Sequence, residues 1–329
     1  MAKLSDIPGV GPSKASILEA KGVHSVEELA VKDAEELKTI IGGSLAGAQK
    51  VIKGAKDLLK DSVKIVSASD LQKERIEKIQ YISTGSTALD SLFLHGKGVP
   101  TDAITAFYGL FASGKTQLCN MLAVNMKKSY GRKTMWVETE PQTLITDRIL
   151  DIAKANDVEY DLSKDLDIIP AKYMETPNHM FMAYEEIENK LKSGEDIGLI
   201  IIDSFNALFR SVYIGRTMLG ARSADQGKHI GFLQKLASKY NIAIVLTLQV
   251  MGVPDQGTQL GCIKKYGISS PPVASHVLKH GVNYMIGLDQ ISSVDKTWKA
   301  IVADGPVPRG ESVFVIDETG VSEFTKRRG

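Results

Sequence analysis

Gly109-Leu110-Phe111-Ala112-Ser113-Gly114-Lys115-Thr116 is the stretch on which the reading of this chain turns. It matches G-x-x-x-x-G-K-[ST], and each residue type has a physical task there. The glycines let backbone N–H groups curl around phosphate oxygens, and a helix starting at the end of the loop adds partial positive charge. Lys115 reaches the β- and γ-phosphates of a nucleotide, and the Thr116 hydroxyl ligates Mg2+. The flanks supply the context such a loop needs. An apolar run at 103–108 predicts a strand ahead of it, and 116–128 predicts a helix behind it. Nucleotide binding is the expectation.

Working outward, strand and helix patterns alternate from about Ile82 onward, which predicts an α/β domain with a mostly parallel sheet. Three more strands are expected, at 134–137, 199–202 and 242–248. The second ends at Asp203, the arrangement that presents a carboxylate to Mg2+ through water. Hydrolysis also needs a group that positions the attacking water. Glu138 and Glu140 both follow the first of these strands, and spacing does not choose between them. Gln249, at the end of the last, suits a sensor of the γ-phosphate. Residues 251–280 mix Gly, Pro, Ser and Lys without a period, and a loop that long in a compact domain is usually functional.

Residues 1–60 have a different texture, with short helical patterns punctuated by glycine, including Ile7-Pro8-Gly9-Val10-Gly11 and Ile41-Gly42-Gly43. Residues 61–81 are rich in Lys, Glu, Asp and Ser and read as a linker carrying one polar helix. The expected organisation is therefore a helical unit over 1–60, a linker over 61–81 and an α/β core over 82–329. The chain has 329 residues, 43% hydrophobic and 24% charged, which excludes intrinsic disorder. With 40 Lys+Arg against 39 Asp+Glu, the formal charge of +1 excludes a uniformly basic coat for nucleic acid, though not a local patch. Cys119 and Cys262 stand far apart, so neither a disulfide framework nor a structural zinc site is expected. No apolar run reaches the length of a membrane span and no leader pattern opens the chain, so a soluble, cytoplasmic protein without membrane contact is expected.

Together these pieces resemble archaeal RadA, a branch of the RecA-type strand-exchange recombinases. Ile82-Ser-Thr-Gly-Ser-Thr-Ala-Leu-Asp90 is similar to the entry into that family's ATPase core, and Glu138-Thr139-Glu140 to its Asp-Thr-Glu. Asp203-Ser204, Phe209-Arg210, Gly215-Arg216 and the run from Leu219 to His229 follow its first DNA-binding loop, and Leu248-Gln249-Val250 opens its second. The resemblance implies a RecA-type core with an N-terminal helix–hairpin–helix domain. It selects Glu140 as the residue that activates water, with Lys115 and Gln249 as catalytic partners. It implies an ATP site of Gly109, Leu110, Phe111, Ala112, Ser113, Gly114, Lys115, Thr116, Gln117 and Arg148, with Arg148 stacking on adenine. Mg2+ falls to Thr116 and Asp203. DNA contacts fall to Gly9 and Gly11 in the hairpin, Arg216 and Arg222 in the first loop, and Lys264 and Lys265 in the second. Backbone N–H groups of the hairpin glycines grip phosphates without regard to base sequence.

The implied activity is a DNA-dependent ATPase that forms filaments or rings on single-stranded DNA, pairs it with homologous duplex and works with recombination accessory proteins in repair. Several positions depart from the family. Pro141-Gln142-Thr143-Leu144 replaces Gly-Thr-Phe-Arg, the second loop has Val253 and Ala274-Ser275-His276, and Arg309 stands where an acid is usual. The segment that docks neighbouring subunits carries Ile65 and Ala68 in place of Phe and Ala, a loss of about 1 kcal/mol of buried contact. These departures motivate an alternative, a non-catalytic paralogue that binds ATP and DNA and regulates a separate recombinase. A third reading, a hexameric helicase on the same core, is opposed by the N-terminal hairpin.

Overall fold

The computed structural model describes residues 2–60, 65–141, 143–250 and 276–325. They fall into two compact units, residues 1–76 and 77–329.

The first unit is helical: α1 (Pro12–Ala20), α2 (Val26–Ala30), α3 (Ala34–Ile41), α4 (Leu45–Leu58) and the start of α5 (Ala68–Lys78). Each short helix has a local reason to begin where it does. The side chains of Ser25, Asp33 and Ser44 accept backbone N–H bonds at the starts of α2, α3 and α4, satisfying donors that the helix leaves orphaned. Leu4, Ile7, Leu18, Val23, Leu29, Leu37 and Val51 bury together as the core. The hairpin 7–11 lies directly on α4: a Cβ added at Gly54 would meet Pro8 Cδ at 3.1 Å. α5 buries none of its residues.

The second unit is built on a nine-stranded sheet. In chain order its elements are β1 (Ala103–Gly109), α6 (Lys115–Tyr130), β2 (Lys133–Glu138), α7 (Thr146–Ala155), β3 (Leu166–Ile169), α8 (Pro177–Lys192), β4 (Ile197–Asp203), α9 (Ala207–Val212), α10 (Leu219–Tyr240), β5 (Ala243–Gln249), α11 (His276–Gly281), β6 (Tyr284–Ser292), β7 (Thr297–Asp304), β8 (Glu311–Asp317) and β9 (Gly320–Glu323). Across the sheet the order is β9-β8-β7-β6-β1-β5-β4-β2-β3. Pairs from β6 through β1, β5, β4 and β2 to β3 are parallel, whereas β6 to β9 pair antiparallel. The expected parallel sheet is present, and the antiparallel extension is an addition that the sequence reading did not contain.

The two-residue period of a strand sorts its side chains between two cores. Phe107, Trp136, Leu199, Ile201 and Val245 face α6 and α7, while Ile104, Met135, Ile200, Ile202, Ile244 and Leu246 face α8 and α10. Because helices cover both faces, the central strands are apolar throughout: all seven residues of β1 and of β4 are buried. The β3 edge is short, its Asp167 lies 3.1 Å from Lys133 and 3.3 Å from Lys190, and Pro170 follows its last residue. The carboxyl ends of β1, β2, β4 and β5 all open onto one rim, the position where open α/β sheets place their ligands.

Candidate active site

The loop 109–116 leaves β1 through a glycine that nothing else replaces. A Cβ on Gly109 would stand 2.4 Å from both the Leu288 carbonyl oxygen and Ser113 Oγ. Gly114 takes φ +89° at the start of α6, and a Cβ there would lie 2.5 Å from Ile316 Cδ1. The loop is thus clamped from behind by β6 and β8. Its lysine is folded back onto it: Lys115 Nζ donates to the carbonyls of Gly109 (3.0 Å) and Leu110 (2.8 Å) and to Ser113 Oγ (3.2 Å). Burial lowers the Lys115 pKa, with the nearby Asp203 and Glu140 charges partly opposing that shift.

Thr116 Oγ1 donates to Asp203 Oδ2 at 2.8 Å, and Thr247 donates to Asp203 Oδ1. Burial raises the Asp203 pKa, while the two threonine hydroxyls and Lys115 pull it back. The residues fit Mg2+: a hydroxyl and a carboxylate make an all-oxygen donor set for a hard cation. Among the described residues no group of three or more His, Cys, Asp and Glu could hold a metal.

The two acids that spacing left undivided have separate surroundings. Glu138, buried at the end of β2, accepts from the backbone N–H groups of Thr143 (3.0 Å), Leu144 (3.3 Å) and Ala171 (3.2 Å), so its carboxylate holds loops in place. Glu140 lies beyond the strand end, and its Oε1 accepts from Ser204 Oγ at 2.8 Å and from Gln249 Nε2 at 2.5 Å. Gln249 Oε1 accepts in turn from Arg210 Nη1 at 2.5 Å. Behind this row, Thr139 Oγ1 donates to the Ser204 carbonyl (2.7 Å) and accepts from the Ser204 N–H (2.8 Å), fixing the turn after β4.

One cavity of about 620 Å³ gathers these groups. Gly109 through Gln117, Glu140, Asp203, Ser204, Arg210, Gln249, Trp298 and Ile316 are among the residues lining it. Every catalytic and metal candidate from the sequence therefore reaches the same space. Arg148 does not line it. Its Nε donates to Gln117 Oε1 at 2.8 Å, Nη1 to the Glu318 carbonyl at 2.6 Å and Nη2 to the Asp317 carbonyl, which ties α7 to the β8–β9 turn.

Of the DNA candidates, Gly9 adopts φ +90° and Gly11 precedes α1 as its N-cap, with Lys14 Nζ donating to the Gly9 carbonyl at 3.1 Å. Arg216 is exposed on the short turn 216–218, and Arg222 is half-buried on the first turns of α10. Neither arginine lines the cavity. Ile65 is fully exposed, and Ala68 opens α5. Lys264 and Lys265 lie outside the described residues, as do Gln142, Val253, Ala274 and Ser275.

Sequence reasoning missed the supporting cast. Thr247 carried a signal, since it is a hydroxyl inside an otherwise apolar strand. Arg210 carried none beyond its neighbours. Trp298 and Ile316 were out of reach because their strands had not been recognised.

A family model described as Rad51 matches residues 74–324, and a second, for a SAM-like helix-hairpin-helix tandem, matches residues 1–57. The "DNA repair and recombination protein RadA" of Cenarchaeum symbiosum (strain A) is 35% identical over 330 aligned positions, which cover 97% of this chain and 79% of that protein.

Proposed function

The chain belongs to the Rad51 family, and we propose that it is an ATP-hydrolysing recombinase that assembles on single-stranded DNA and promotes homologous pairing and strand exchange in DNA repair. The observation that carries this reading is the convergence of Lys115, Thr116, Asp203, Glu140 and Gln249 on one cavity at the loop. In this reading Lys115 exchanges its three loop partners for phosphate oxygens, to which its partly desolvated charge is drawn more strongly than to carbonyls. Thr116 and Asp203 would hold Mg2+, which would supply charge neutralisation for a bound nucleotide's phosphates. Glu140 orients the attacking water, and Gln249 reports whether the γ-phosphate is present. Glu138 is left out of the chemistry because its carboxylate is spent on backbone. The N-terminal hairpin glycines and the arginines at 216 and 222 take DNA phosphates.

Two assays test it. ATP turnover should rise with single-stranded DNA and fall by about 10²- to 10⁴-fold in Glu140→Gln, the range for loss of a positioned base. ATP-dependent joint molecules should form between single-stranded DNA and homologous duplex. Absence of joint molecules overturns strand exchange, and turnover indifferent both to DNA and to Glu140→Gln leaves the regulatory, non-catalytic reading standing.

A further inference from the structure

Arg210 stands at the exposed end of the row Arg210–Gln249–Glu140–Ser204, and the chemistry of the row fixes its direction. A guanidinium only donates and a carboxylate only accepts, so the Gln249 amide satisfies both in one orientation: oxygen to Arg210 Nη1, nitrogen to Glu140 Oε1, each at 2.5 Å. In that orientation the amide nitrogen is committed to Glu140. Glu140 Oε1 meanwhile takes a second donor, Ser204 Oγ, at 2.8 Å. The pair best placed to handle the γ-phosphate and its attacking water is occupied with itself.

The clamp at the outer end is replaceable. Arg210 is exposed on α9, and its acceptor is a neutral amide, whereas an anionic oxygen pair would add ion–ion attraction and could take two of its N–H groups at once. Six residues along the chain, Arg216 begins the turn proposed to lie on DNA. A backbone phosphate arriving there offers Arg210 a better acceptor than Gln249 Oε1.

We propose that Arg210 is a positioning residue that holds Gln249 against Glu140, and that a DNA phosphate drawing Arg210 away frees both side chains for ATP hydrolysis. The proposal rests on Glu140 as the water-orienting residue, and the experiment separates the two. ATP turnover is measured with and without an oligothymidylate for the wild type, Arg210→Ala, Arg210→Lys and Glu140→Gln.

Arg210→Ala is expected to raise turnover without DNA by about three- to tenfold, the factor that one hydrogen bond commands, and to bring the DNA stimulation ratio down by the same factor. Arg210→Lys, which keeps a donor for Gln249, restores low turnover without DNA and the wild-type ratio. Arg210→Ala with wild-type rates in both conditions overturns the proposal, as does a fall in turnover without DNA. A rise that leaves the stimulation ratio intact overturns the transfer of Arg210 to phosphate. Undiminished turnover in Glu140→Gln, or a wild type that hydrolyses no ATP, removes the reading beneath it whatever Arg210 does.

Discussion

His229 is a histidine held as an uncharged aromatic. On α10 it is 1% exposed, and its ring meets the edges or faces of Phe209 at 4.9 Å, Phe181 at 5.4 Å and Tyr184 at 5.5 Å, each close to perpendicular. Burial pushes its pKa down to about 4; Lys228 adds to the shift and Asp225 opposes it. The sign follows from linkage. The unfolded chain binds a proton below about pH 6.5 and the folded chain does not until about pH 4, so His229 withdraws stability as pH falls through that window. At pH 4.5 the withdrawal is on the order of 2–3 kcal/mol. Urea unfolding at pH 7 and pH 4.5 measures it: His229→Gln should lower stability at pH 7 yet lose less on acidification than the wild type. Equal losses in the two proteins would contradict the assignment. The same contrast of environments divides Glu138 from Glu140. Two identical side chains two residues apart differ because three backbone N–H groups surround one and the cavity receives the other, and no spacing rule encodes that difference.

At the level of elements, α5 and the central strands are opposites. α5 has 11 residues and buries none, and a helix of that length is marginal in water without packing. β1 and β4 are buried throughout. Amide exchange should therefore be complete within α5 in the time that Ile200, Ile201 and Ile202 remain protected, because local opening of α5 exposes little apolar surface. Protection of α5 equal to that of β4 in the protein alone would show that packing has been overlooked. This contrast also explains what could be read in advance. β1, β2, β4 and β5 announced themselves because strands covered on both faces become largely apolar runs, and β4 and β5 end in Asp203 and Gln249, which line the site. β6 to β9 did not. Strands such as Tyr284–Ser292 and Thr297–Asp304 interrupt their apolar residues with Gly287, Asp289 and Lys299, giving neither a clean run nor a clean alternation. Those strands supply the Trp298 and Ile316 walls, so the floor of the site was legible while its side wall was not. The hairpin glycines were legible because positive φ at Gly9 is a demand on residue type.

For the molecule as a whole, near-neutral charge limits how DNA is held. In the proposed mode, contacts through glycine N–H groups would position a phosphate without adding a cation, so each protomer would release few counterions. If two or three phosphates per protomer are neutralised, log affinity for a short single-stranded oligonucleotide should fall with log salt at a slope between about −1.4 and −2.1. On longer strands the slope should steepen with the number of protomers bound. Fluorescence anisotropy across a salt series with oligonucleotides of increasing length reads both values, and a steep slope on the shortest strand would mean that a basic patch had been overlooked.

The Leu166–Ile169 edge bears on the same assembly from another direction. A wide sheet that ends in an open strand is a hazard at the concentrations a polymer-forming protein reaches, because any stray extended segment finds a ready template there. Here the border is four residues long, its Asp167 is braced by two lysines, and Pro170 closes it. Indiscriminate strand pairing is discouraged at the place where it would spread most easily. In the proposed assembly on DNA, growth would then be left to contacts other than strand pairing, and order in the polymer would become a matter of kinetics as much as of affinity.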